Sequence, residues 1–148
     1  MIVLANVKDN TEGLTKLGTP IEYSQYNNPT KEILEVFPNQ YPDSDYVVEF
    51  IFPEFTSCCP KTKQPDFGTI KVRYIPNKNC IETKSLKLYY LAYRNEGMFM
   101  ETIVNKIKDD LVVACLPKHL EVVGVFNPRG GTGINIQANY INPEFAQA

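Results

Sequence analysis

Two stretches of the chain alternate apolar and polar residues, and two others repeat apolar residues at helical spacing. Residues 46–53 (YVVEFIFP) are β-branched and aromatic and predict a strand. In residues 67–75, Ile70, Val72 and Tyr74 alternate with Lys71 and Arg73, the pattern of a half-buried strand. These two predict a hairpin with a long, turn-rich connection over residues 54–66. A helix is expected over residues 86–95, capped by Thr83 or Ser85 and stopped by Gly97, with Leu86, Tyr89, Tyr90 and Tyr93 on its apolar face. A second helix is expected from about 99 to 115, because Phe99, Ile103, Ile107, Leu111 and Cys115 recur at i+4. Pro117 ends it. Residues 120–126 and 134–140 predict a second strand pair, joined by a glycine-rich turn at 127–133.

The order is β-β-α-α-β-β. Grouped helices between turn-connected strands predict an α+β fold with an antiparallel sheet and both helices on one face. Such a sheet has open edges, which oligomerisation would cover. Residues 1–45 are polar, with prolines at 20, 29, 38 and 42 and one helical turn expected near 31–35. They predict an N-terminal arm that packs on a body of residues 46–148, because Tyr23, Tyr26 and Phe37 favour docking.

Composition narrows the chemistry. The 148 residues make one ordinary domain, able to bury a core without disulfides or metal. Fifteen Lys and Arg against seventeen Asp and Glu give a net charge of −2, a poor footprint for phosphate-backbone binding. The single histidine, His119, excludes a His-rich metal site within one chain, and no metal is expected. The N-terminal residues read neither as a signal peptide nor as a membrane span. The four cysteines are therefore expected to be reduced, and the protein cytoplasmic.

Five groups could carry chemistry. Cys58 and Cys59 are vicinal thiols beside Lys61 and Lys63, and nearby lysines favour the attacking thiolate. Asp66 reads either as a turn residue or as a proton donor. Glu82 precedes Lys84 and Lys87, which lie at i and i+3 and suit a polyanion or simply a solvated helix start. Arg129-Gly130-Gly131 is either a hairpin turn or a phosphate-facing loop. Glu101 complements the dipole of its helix or accepts paired N–H donors from a guanine-like edge. Cys80, Cys115 and His119 take structural readings.

These motifs, in order, resemble the QueF nitrile reductases. Residues 55–67 (FTSCCPKTKQPDF) look like that family's nucleophile loop. Residues 82–89 (ETKSLKLY) resemble its signature motif. Tyr93-Arg94-Asn95, Phe99 with Glu101, and residues 126–131 (FNPRGG) also match, as do Leu17-Gly18 and Tyr23 in the leader.

The resemblance implies a tunnelling fold assembled into rings, typically two facing pentamers, with sites between subunits. It implies reduction of the nitrile of 7-cyano-7-deazaguanine to an aminomethyl group, in queuosine biosynthesis, with two NADPH and no metal. By motif position Cys59 is the nucleophile and forms a covalent thioimide. Asp66 gives the proton. Glu101, with Glu82 and Thr83 of a neighbouring subunit, binds the substrate. Lys84, Lys87 and Arg129 hold NADPH phosphates, and Gly130 and Gly131 allow close approach. Two positions depart from the family pattern. Thr83 replaces a serine and keeps the hydroxyl. Met100 stands where reductases carry a histidine before the substrate-binding glutamate. The alternatives are a QueF-like amidinotransferase, in which ammonia attacks the same thioimide on a nucleic-acid-bound base, and a non-catalytic purine or pterin binder.

Overall fold

A computed structural model describes residues 7–146. Four antiparallel strands form the main sheet in the order β2 (Val48–Cys58), β3 (Pro65–Ile75), β5 (His119–Arg129) and β6 (Thr132–Ile141). Helices α1 (Thr83–Leu91) and α2 (Met100–Cys115) lie between the two hairpins in sequence. This is the expected β-β-α-α-β-β order. A second, two-stranded ribbon, absent from the sequence reading, pairs β1 (Val36–Pro38) with β4 (Asn79–Ile81).

The core is the row of β3 side chains Ile70, Val72 and Tyr74, joined by Leu120 and Val122 of β5 and covered by the helices. On α2, Ile103, Ile107, Leu111 and Cys115 are all buried, so the i+4 repeat is the packing face. Burying each large aliphatic there stabilises the fold by roughly 1.5–3 kcal/mol. On α1, Leu86, Tyr89 and Tyr90 are buried, as is Tyr93 just beyond its end. The Tyr89 hydroxyl donates to Asp110 Oδ2 at 2.6 Å and meets the Tyr93 hydroxyl at 2.8 Å, which locks α1 to α2.

Several boundaries differ from expectation. The helix α1 ends at Leu91, not near Asn95, and turns carry the chain to Gly97. Its N-cap is Glu82 rather than Thr83 or Ser85. The Glu82 carboxylate accepts from Lys84 N and Ser85 N, leaving Thr83 exposed. The connection between β2 and β3 is short, because both strands run through residues expected to form a loop. Proline does not stop β2. Pro53 sits in an edge strand at a register shift between Phe52 and Phe55, where a missing N–H is tolerated. A second shift, between Phe126 and Arg129, falls at Pro128 of β5.

The leader is tied to the rest of the chain by polar contacts. The Arg94 guanidinium donates to the carbonyls of Tyr23 and Tyr26 and to Asn27 Oδ1. The Glu35 carboxylate accepts from Thr15 and Lys16, and those bonds hold its pKa below the ordinary value despite burial. The expected turn at 31–35 is a 3-10 turn, Lys31–Ile33. Residues 1–6 of the N-terminal stretch read for a signal peptide lie outside the described residues.

Candidate active site

The loop that carries the candidate nucleophile is residues 59–64, closed at both ends by backbone bonds. Cys59 N donates to Gln64 O at 2.9 Å, and Lys63 N donates to Cys59 O at 3.1 Å. Lys63 takes a left-handed φ of 61° to complete the turn. The segment after α1 runs beside the loop: Cys58 N donates to Glu96 O, and Met98 N donates to Cys58 O. Gly97 makes this approach possible. A Cβ there would lie 2.6 Å from Lys63 Nζ and 3.0 Å from the Pro60 Cα.

This turn favours a thiolate at Cys59. A hydrogen bond from the Thr62 side chain, then the backbone N–H groups of Thr62 and Lys61, lowers the thiol pKa to about 7. Arg129 adds a smaller attraction. Thiolate is the attacking form, so a substantial fraction is ready at neutral pH. Cys58 is different: its Sγ points to the Arg94 carbonyl at 3.4 Å.

Asp66 is neither a turn residue nor a surface carboxylate. On β3 it continues the buried row of Gly68, Ile70, Val72 and Tyr74. Its side chain is 4% exposed, and Arg129 Nε donates to its Oδ1 at 2.5 Å. The bulge at Pro128 precedes Arg129, and the pair bridges β5 to β3. The carboxylate in turn raises the Arg129 pKa.

One cavity of about 210 Å³ joins these groups. It is lined by Cys59, Pro60, Asp66 and Arg129 from the sheet side, and by Met98, Phe99, Met100 and Glu101 from the start of α2. Of the expected site residues, Cys59, Asp66, Glu101 and Arg129 therefore meet in one chain. Glu82, Thr83, Lys84 and Lys87 do not line this cavity. Lys84 Nζ donates to the Thr19 carbonyl, and Lys87 is exposed beside a separate groove that includes Tyr23, Glu54 and Arg94. Gly130 and Gly131 form the β5–β6 turn at φ of 56° and 79°. His119 opens β5 and lines another cleft with Arg73 and Tyr74. Among the described residues no His, Cys, Asp and Glu set is arranged to hold a metal.

The profile of the family described as QueF-like protein matches residues 65–145. The chain belongs to this family. It is 57% identical over 110 residues to the NADPH-dependent 7-cyano-7-deazaguanine reductase of Chlorobaculum tepidum, covering 74% of this chain and 94% of that protein. It is 47% identical over 143 residues to the protein of the same name from Nitratidesulfovibrio vulgaris, covering 95% and 86%. The crystal structure of the archaeosine synthase QueF-Like in the apo form aligns with a TM-score of 0.60 at 21% identity, covering 65% of this chain and 94% of that one. That likeness carries the fold alone, and the QueF-like chain shares its tunnelling fold.

The sequence reading missed three contributors. Thr62 supplies the largest lowering effect on the Cys59 pKa, and its hydroxyl three residues past a candidate nucleophile was a readable signal. Arg129, expected as a cofactor ligand, also holds Asp66, a contact across 63 positions with no local sign. Gly97 was read as a helix stop, whereas its lack of a side chain lets the nucleophile loop close.

Proposed function

We propose that this protein is an NADPH-dependent reductase of the 7-cyano-7-deazaguanine nitrile. The observation that carries the reading is a thiol with a pKa of about 7, sharing one cavity with a buried aspartate and an exposed glutamate. The names of its relatives agree with it.

Cys59 Sγ bonds to the nitrile carbon as one carbon–nitrogen π bond breaks. The thiol proton passes to the Asp66 carboxylate and from there to the nitrile nitrogen, which gives a thioimide. Arg129 Nε holds Oδ1 and aims the carboxylate at the cavity, so that Asp66 can pass the proton on. Glu101 accepts N–H donors of the deazaguanine edge. Glu82 and Thr83 do so from a neighbouring copy, and each Glu82 oxygen keeps a lone pair beyond its cap bond. The neighbour is supplied by a ring in which the sheet edges β2 and β6 pair between subunits.

Bound NADPH supplies the hydrides, one per molecule and two per nitrile. Its phosphates suit the exposed Lys87 and the open Gly130-Gly131 turn, where a Cβ would meet nothing within 4 Å. Lys84 would join by giving up its bond to Thr19, and Arg129 through the guanidinium nitrogens other than Nε. No described helix is long and apolar enough to cross a membrane, and all four cysteines are free thiols, which supports a cytoplasmic enzyme.

The test is mass spectrometry of the protein with the nitrile, then with NADPH or ammonium added. An adduct that is lost in Cys59→Ala and discharged by NADPH supports the reductase. Discharge by ammonium alone overturns it in favour of the amidinotransferase, and no adduct at all overturns both.

A further inference from the structure

Ser57 lies two residues before Cys59 and is fully buried, yet its Oγ has no hydrogen-bond partner among the described residues. Buried hydroxyls are ordinarily paired, because an unpaired one forfeits its bonds to water. The residue facing it is Asp66. The β2–β3 register pairs Ser57 directly with Asp66, and both side chains are buried on the core face of the sheet. Directly opposed residues on one face of an antiparallel pair have Cβ atoms about 4.5–5.5 Å apart. A turn about the Ser57 Cα–Cβ bond therefore brings the hydroxyl to the carboxylate. Arg129 occupies only Oδ1, and among the described residues nothing donates to Oδ2.

We propose that Ser57 is a positioning residue for Asp66. Its hydroxyl donates to Oδ2 when the nitrile fills the cavity and fixes the carboxyl group at the angle from which the nitrogen is protonated. Arg129 and Ser57 then grip the two oxygens from opposite neighbouring strands. The inference rests on the thioimide step above. It does not need the hydride steps.

The experiment measures the rate of adduct formation by mass spectrometry, without NADPH, at several nitrile concentrations. Ser57→Ala is expected to slow adduct formation about 10-fold at saturation, with the half-saturating concentration unchanged. Ser57→Thr, which keeps the hydroxyl, restores most of the rate. In an Asp66→Asn background Ser57→Ala has no further effect. Iodoacetamide labelling of Cys59 proceeds at the same rate in Ser57→Ala and Ser57→Thr as in the unsubstituted protein. An unchanged adduct rate in Ser57→Ala, with a raised melting temperature, shows an unused hydroxyl and overturns the proposal. A parallel fall in iodoacetamide labelling also overturns it, since Ser57 would then act on the thiol. If Ser57→Ala does not fold, Ser57→Cys, close in shape and a weak donor, makes the same comparison. Adduct without NADPH oxidation overturns only the reductase reading, and no adduct in the unsubstituted protein overturns both.

Discussion

Arg129 Nε meets Asp66 Oδ1 at 2.5 Å, with the aspartate side chain 4% exposed and the arginine 36% exposed. The arginine is the wet partner and the carboxylate the dry one. Removing the arginine strands a buried charge. Arg129→Ala is expected to lower the urea midpoint of unfolding, by an amount limited because water reaches the guanidinium. Arg129→Lys should recover only part, since an ammonium cannot reproduce the planar Nε geometry. Full recovery with lysine would show that charge alone matters.

The Cys59 thiol should titrate near neutrality. Its alkylation rate is expected to rise with pH through a midpoint of about 7. The Thr62 hydroxyl stabilises the thiolate, so Thr62→Val removes the largest lowering influence. The midpoint then moves up, toward the ordinary thiol value of about 8.5. At pH 7 the variant reacts more slowly, and well above both midpoints the two rates converge. A midpoint that does not move would exclude the Thr62 hydroxyl as a cause.

Met100 lines the cavity with Cys59, Asp66 and Glu101 but offers no proton. Met100→His would place an imidazole there. The expected outcome is a turnover rate raised about 10-fold or more, with a new limb in the pH–rate profile near 6.5. Steady-state NADPH oxidation across pH checks both. A slower enzyme with an unchanged profile would mean that the methionine serves the cavity by shape.

Gly97→Ala tests the closure of the nucleophile loop. Lys63 Nζ, 2.6 Å from the new Cβ, can swing away, but the Pro60 Cα at 3.0 Å is backbone and must shift. Small displacements of a nucleophile are expensive in rate. Adduct formation is expected to fall about 10- to 100-fold, while circular dichroism shows the fold intact.

The centres of the elements were legible, and their ends were not. The i+4 row of α2 and the alternation over Ile70, Val72 and Tyr74 are local patterns, and the structure buries those residues. The ends of β2 and β3 depend on each other. The sequence predicts a loop over residues 54–66, yet pairing continues from Phe55↔Gly68 to Cys58↔Pro65. Thr56 Oγ1 donates to Asp66 O there, a bond no window of sequence contains. The ribbon of β1 and β4 escaped notice because its strands are three residues long and far apart in the chain. At the site, residue types point to the Cys58–Cys59 pair, Asp66 and Glu101, and the family resemblance singles out Cys59. Asp66 stands in phase with the core row, but a carboxylate interrupts the apolar pattern that would reveal its burial. Glu82 was weighed as a substrate ligand and is also a helix cap, since one carboxylate has lone pairs for both.

Arg94 acts in two directions from one residue. Its guanidinium holds the carbonyls of Tyr23 and Tyr26, and its own carbonyl receives the Cys58 thiol, next to Cys59. The leader and the hairpin that carries Cys59 thus share one residue as their tie. Clipping the chain before residue 28 would take three acceptors from that guanidinium and leave it the Leu91 carbonyl.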